Sequence, residues 1–303
     1  MRRLITGLLM LALSVAPAEA ASLTLTVAPG ARQAFLGFGA SLIPDRSYRD
    51  LSPERRALLA RLLWHDLHFK VLRVWADMAS GTREAQSYLD SGIINDAVAA
   101  GASELLLAPE GQGAPDVARY TDAVTALLGF YRDHGVTFNA TGVANEPGDG
   151  AAAAVHMPQH MVALIEALRT ALDHQGLGEV KIIAPELANA DAMAVDWLER
   201  LKASPAWRGL GGFSTHSYNM AATEAIASRL KGEGKEYWIT EAGDNGPEEP
   251  ENALIAAGLA ARVLNDLNHF ANYWIFFIGY LAASPDDNAT RIIAYDSRRE
   301  GDD

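Results

Sequence analysis

Short apolar runs alternate with longer stretches of helical period along most of this chain. The runs are 35-FLGFGAS-41, 70-KVLRVWAD-77, 104-ELLLAPEG-111, 137-TFNATGVANEP-147, 181-KIIAPEL-187, 211-GGFSTHSYN-219, 236-EYWITEAG-243 and 272-NYWIFFIG-279. Apolar on both faces and closed by polar or turn-forming residues, they read as strands buried on both sides. Between the first two lies 52-SPERRALLARLLWHD-66. Ser52 is placed to cap that helix, Pro53 sits in its first turn, and Leu58, Leu62 and Leu63 are expected on one face. Further helical stretches cover 115–135, 157–176 and 253–270. Strands separated by helices predict a parallel sheet covered by helices, and eight of them predict an α/β fold, a (β/α)8 TIM barrel spanning residues 35–303. An open doubly wound sheet is the alternative. It fits less well, because 37-GFGASL-42 lacks the third glycine of a dinucleotide fingerprint and polar residues gather at the ends of many strands.

The two ends depart from this pattern. Residues 1–20, MRRLITGLLMLALSVAPAEA, combine two arginines, an apolar run from Leu4 to Val15 and the small-residue pattern Ala18-Glu19-Ala20. They read as a signal peptide, so a secreted or periplasmic protein is expected. Residues 21–34 hold an alternating stretch, 22-SLTLTVAP-29, which reads as an outlying edge strand. The segment 280–303 contains one short apolar run and no amphipathic pattern, so an eighth helix is not expected.

Composition narrows the partner. Without residues 1–20, which carry two arginines and one glutamate, 23 basic and 37 acidic side chains remain, a net charge of −14. Binding a phosphate or sulfate polymer requires Lys and Arg clusters, so nucleic acid is not an expected partner and a neutral substrate fits better. No cysteine is present, which excludes disulfides, thiolate catalysis and cysteine-ligated zinc. No later stretch is long and apolar enough to predict a membrane span. A monomer is expected.

The candidate chemistry lies at the strand ends. Glu146, followed by Pro147, ends the fourth candidate strand, and Glu241, followed two residues on by Gly243, ends the seventh. In a barrel both reach the same mouth. Two facing carboxylates suit glycosidic bond cleavage, one protonating the leaving oxygen and the other attacking the anomeric carbon. Asn145 is an amide suited to a sugar hydroxyl. Arg73 lies between apolar residues inside a strand, where a guanidinium requires a carboxylate partner. Glu241 is one candidate, and Asp77 or Glu110 are equally open. His216 and Tyr218 share a face by the period of two and can reach a carboxylate or sugar. Trp274 offers a flat surface for stacking on a pyranose, or a core ring; for Trp75 and Trp238 cleft and barrel interior are both open. His156 and His160, four apart near a helix start, could bind a metal, but no acidic or third histidine ligand is evident nearby.

Taken together these residues resemble the large retaining glycoside hydrolase clan with a (β/α)8 barrel, clan A. Within it, 37-GFGAS-41 after an outlying strand, 72-LRVWADM-78, 143-VANEP-147 and 214-STHSYN-219 are most similar to glycoside hydrolase family 30. That family includes glucosylceramidases, β-1,6-glucanases, endo-β-1,6-galactanases and glucuronoxylanases; families 5 and 39 are neighbours in the clan. The resemblance implies Glu146 as general acid/base and Glu241 as nucleophile, acting on a β-linked glycan without cofactor or metal. It implies Asn145 at the 2-hydroxyl, and Arg73, His216 and Tyr218 around the nucleophile and first subsite. The chain departs from the family at Ala40, where Gly-Phe-Gly-Gly is usual, and in having only 22-SLTLTVAP-29 of the family's side β-sandwich. The rival expectation is a secreted, non-catalytic carbohydrate-binding or truncated barrel.

Overall fold

A computed structural model describes residues 26, 29–43, 48–49, 51–111, 114, 116–148, 157–243, 253–282 and 292–295. Residues 33–303 make up one compact unit. The expected signal peptide lies outside the described residues, as does nearly all of the expected edge strand at 22–29.

Eight parallel strands close into a barrel in sequence order, with β8 pairing back onto β1. They are β1 (Gly37–Leu42), β2 (Val71–Ala76), β3 (Glu104–Pro109), β4 (Ala140–Thr141), β5 (Lys181–Leu187), β6 (Gly212–His216), β7 (Glu236–Ala242) and β8 (Tyr273–Phe276). The main covering helices are α1 (Pro53–Ala60), α2 (Thr82–Ser91), α3 (Ile93–Ala100), α4 (Val117–Asp133), α5 (Pro158–His174), α6 (Ala192–Lys202), α7 (Thr223–Leu230) and α8 (Ala253–Asn268). This is the (β/α)8 TIM barrel that the alternation of periods predicts. After β8 the described residues contain no further helix; β9 (Tyr280–Ala282) and β10 (Ile293–Tyr295) pair in parallel as a separate two-stranded sheet.

The cap read at Ser52 forms, and two further caps accompany it. Ser52 Oγ accepts from the Arg55 amide with Pro53 as the first helical residue, and Asp116 and Asp191 cap α4 and α6 in the same manner. The face of α1 differs from the expectation. Leu58 is exposed, while Leu59, Ala60, Leu63 and Trp64 are buried, the last two on a π-helical turn, Arg61–Asp66, that continues the helix. The buried side therefore follows the pairs 59/63 and 60/64 rather than Leu58 and Leu62.

Two apolar layers hold the barrel. The outer one lies between strands and helices. The inner one is a plug of Val71, Leu106, Ala140, Ile183, Trp238, Tyr273 and Ile275, in which the Trp238 and Tyr273 rings stack at 3.8 Å. Trp238 is thus part of the barrel interior. Beneath it Lys181 Nζ donates to Glu236 Oε1 at 2.7 Å, closing the end opposite the strand termini.

Strand pairing is regular except at three places, all towards the carboxyl ends of neighbouring strands. Register shifts fall between Pro185 and Leu187 on β5, between Thr215 and His216 on β6, and between Ile239 and Ala242 on β7. Each such irregularity re-aims the side chains beyond it. Strand β4 pairs only through Ala140 and Thr141, far less than the expected 137–147, and the Glu186 carboxyl lies beside Gly142 just beyond it. The chain beyond remains tied by bonds from Gly142 N to Leu107 O at 2.7 Å and from Asn145 N to Pro109 O at 2.8 Å.

At Gly39 on β1 a Cβ would overlap the carbonyl oxygen and Cβ of Val71 on β2. Backbone cannot retreat cheaply there. Gly39→Ala is expected to destabilise the protein by about 1–3 kcal/mol, measured as a lower urea midpoint with an unchanged m-value.

Candidate active site

Arg73 is the centre of the site. It points inward on β2, two residues after the plug residue Val71, and is 1% exposed. Its Nη1 donates to Glu241 Oε2 at 2.8 Å, and its Nη2 donates to Asn145 Oδ1 at 2.8 Å and to Glu186 Oε2 at 3.2 Å. The partner question left open by the sequence thus resolves to Glu241, together with Glu186, and not to Asp77 or Glu110. A fixed planar fork is suited to joining three strand ends in this way.

Glu241 uses both oxygens: Oε2 accepts from Arg73, and Oε1 accepts from the Tyr218 hydroxyl at 2.7 Å. Tyr218 lies two residues beyond the end of β6, in the following loop. Burial pushes the Glu241 carboxyl up, but His216, Arg73 and the Tyr218 hydrogen bond outweigh it and hold the group below the ordinary carboxylate range. His216 stands across the cleft, fully buried, with Nδ1 2.8 Å from Glu146 Oε1 and 3.9 Å from Glu241 Oε1. Burial lowers its pKa; Glu241, Glu146 and Glu186 more than restore it, to about 9. The imidazole is therefore a cation at neutral pH and donates to Glu146. Glu146 itself is 30% exposed at the side chain and sits in the left-handed region at φ +46°. Its amide donates to Glu186 O at 3.0 Å, which holds that uncommon backbone. A carboxylate oxygen of Glu146 and one of Glu241 lie within 4.8 Å of each other.

Six of the seven sequence-predicted residues meet here: Glu146, Glu241, Asn145, Arg73, His216 and Tyr218. Trp274 does not. It lies on β8 between the plug residues Tyr273 and Ile275, so the period of two turns it outward into the helix layer. There it is 2% exposed, donates from Nε1 to Asp266 Oδ2 at 3.0 Å, and packs edge-on against Phe38. The expected sugar platform at Trp274 is thus a core ring. The aromatic at the site is half-buried Trp75, whose ring lies 5.4 Å from the Arg73 guanidinium.

Two further acids belong to the neighbourhood. Glu186 on β5 is 1% exposed and had no sequence signal, because counting by two from Ile183 turns it outward and only the register shift brings it in. Glu110 follows Leu106 and Ala108 at even spacing beyond β3, is 8% exposed, and has its Oε1 buried without a partner among the described residues. Burial raises its carboxyl to about 7, with Asp77, Glu146 and Glu241 adding to the effect and Arg73 opposing it.

Glu146, His216 and Glu241 offer ligand atoms spaced for a cation. A metal there would have to break the His216–Glu146 hydrogen bond and approach the Arg73 guanidinium, so these donors suit proton handling better. Of the histidine pair, His156 lies outside the described residues and His160 Nε2 is 2.7 Å from Ala114 O. No helix among the described residues is long and apolar enough to cross a membrane.

No protein-family model matches the chain, and no curated protein matches it. Solved structures do. It superposes on SrfJ from Salmonella typhimurium with a TM-score of 0.73 at 17% identity, covering 88% of this chain and 71% of that one. For the endo-β-1,6-glucanase BT3312 the values are 0.73, 17%, 88% and 72%. For the catalytic domain of GH30 xylanase C from Talaromyces cellulolyticus they are 0.69, 15%, 88% and 72%. At such identities the likeness establishes the shared barrel fold.

Arg73→Met leaves two buried carboxylates facing each other without their cation and is expected to cost about 3–5 kcal/mol in chemical denaturation. Glu110 gives a pH signature of opposite sign to an ordinary salt-bridged acid. Its folded pKa of about 7 lies above the ordinary 4.5, so the cost of ionising it is absent below about pH 4.5 and complete above about 7. Glu110→Gln should therefore be more stable than wild type by about 1–3 kcal/mol at pH 8, the gap closing by pH 4.5.

Proposed function

We propose that this protein is a glycosidase of the family 30 type, hydrolysing β-glycosidic bonds in a neutral oligo- or polysaccharide with retention of configuration. The observation that carries the reading is the pair of carboxylates, Glu146 and Glu241, with oxygens within 4.8 Å of each other at the carboxyl-terminal mouth of a barrel. That separation suits direct attack by one carboxylate, since retaining enzymes hold the two groups about 5–5.5 Å apart and inverting ones leave room for a water. The fold-level likeness to a GH30 xylanase and an endo-β-1,6-glucanase supports the same reading by analogy.

The roles follow from charge and exposure. Glu241, with both oxygens fixed and its negative charge stabilised by Arg73 and His216, is the nucleophile. It attacks the anomeric carbon as the bond to the leaving oxygen breaks, and Glu146 delivers its proton to that oxygen. In the second step Glu146 takes a proton from water, the hydroxyl attacks the anomeric carbon, and the ester bond to Glu241 breaks. Glu146 is the more exposed carboxyl and is bonded by His216, so it meets both the leaving group and incoming water. With the Asn145 carbonyl oxygen on Arg73, the group this residue presents to the sugar 2-hydroxyl is its amide NH2, a donor. The leader-like residues 1–20 support export, and the acidic surface supports an uncharged glycan as substrate.

The test is hydrolysis of β-1,6-glucan, β-1,6-galactan, glucuronoxylan and aryl β-glycosides, with the first-formed anomer followed by NMR. Glu241→Gln is expected to abolish turnover, at least about 10⁴-fold in kcat. Glu146→Gln should slow substrates with poor leaving groups far more than activated aryl glycosides. An inverted first product would overturn the mechanism. Folded wild-type protein that binds but never cleaves the glycans would overturn the enzyme reading in favour of a sugar-binding barrel.

A further inference from the structure

Glu186 is the largest feature of the site that the two-carboxylate reaction does not use. It is fully buried, stands at φ +59°, and occupies space that no side chain at position 142 could share. Holding a non-glycine residue in that region is costly, and burying its carboxyl costs more unless cations face it. Two do. Arg73 Nη2 donates to Oε2 at 3.2 Å, and His216 Nε2 lies 3.9 Å from the same oxygen. The backbone of Glu186 is engaged as well: its amide donates to Ser214 Oγ at 3.0 Å and its carbonyl accepts from the Glu146 amide. One residue thus touches the support of both reacting carboxylates.

We propose that Glu186 is a positioning residue, a buried negative charge that shares Arg73 with Glu241 and keeps His216 an imidazolium donating from Nδ1 to Glu146. Charge balance gives the reason. Arg73 and His216 are two cations in a closed space, and Glu241 alone neutralises one of them. While Glu146 is protonated for the first step, a second negative charge is needed for both cations to persist, and Glu186 is the remaining buried carboxyl in contact with them. When Glu146 gives up its proton in the first step, His216 is already charged and needs no new proton. The groups facing His216 are Glu146 beyond β4, Glu186 on β5, Tyr218 beyond β6, Glu241 on β7 and Arg73 on β2. Among the described residues Glu186 is the carboxylate on the Nε2 edge, 3.9 Å away and without a hydrogen bond, so it acts on His216 through charge and through the Arg73 that it shares.

The kinetic consequence rests on the glycosidase reading; the charge on His216 does not, so the two are measured separately. In wild-type protein the His216 ring is expected to titrate near pH 9 by NMR, and in Glu186→Gln at least one pH unit lower, with Glu186→Asp between them. The alkaline limb of kcat/KM on an aryl β-glycoside should move by the same amount, with kcat down about 100-fold and KM within about twofold. A His216 midpoint unchanged in Glu186→Gln overturns the proposal even if hydrolysis is normal. A shifted midpoint in protein that cleaves no glycoside upholds the charge-holding role and removes the glycosidase reading instead. Should Glu186→Gln fail to fold, the carbon shift of the Glu186 carboxyl in wild type decides: a charged carboxylate at pH 7 upholds the proposal, a protonated acid overturns it.

Discussion

A guanidinium buried to 1% exposure in the middle of a barrel is tolerable only if its charge and its donors are answered at close range, and the upper half of this molecule is organised by that requirement. Arg73 draws Glu241 from β7, Asn145 from beyond β4 and Glu186 from β5 to one point. These strands do not adjoin β2, so the contacts cross the barrel axis and tie its far walls together. Below this level the interior is an apolar plug; above it the cleft is open at Glu146. The polar layer is thus a lid on the core and the floor of the site.

The same cluster separates two chemically identical groups into different tasks. Glu241 accepts from a cation and a phenol on separate oxygens and faces a second cation, which fixes its charge and orientation. Glu146 is partly exposed and bonded to a histidine. Environment alone makes one carboxyl a stabilised anion and leaves the other in reach of solvent. The register shifts in the pairings of β5 and β7 are the mechanical part of this arrangement, since they bring inward Glu186 and Glu241, which a regular pleat counted from Ile183 and Trp238 would send outward.

Local pattern was sufficient for the barrel, the order of its eight strands and the Ser52 cap, and it named six residues that gather around Arg73. These depend on hydrophobic period, on turn formers and on the rule that barrel strand ends converge, all of which are written in neighbouring residues. Of the two readings of Trp274 the core ring holds, because Tyr273 and Ile275 face the interior of the barrel and the parity of β8 turns Trp274 away from it. The short β4 carries no local signal, and the Glu186 carboxyl that lies beside Gly142 comes from another strand.

Tertiary structure alone decided which acid answers Arg73, that a third carboxyl takes part, and that one buried oxygen of Glu110 has no partner among the described residues. Asp77 and Glu110 are nearer to Arg73 along the chain and read equally well as its partners. The choice fell to Glu241 and Glu186 because closure of the barrel brings β5 and β7 across from β2, while the register shifts rotate those two residues inward. The period of two reads a side chain's direction only as long as the pleat is unbroken, and at the residues that matter most here it is broken.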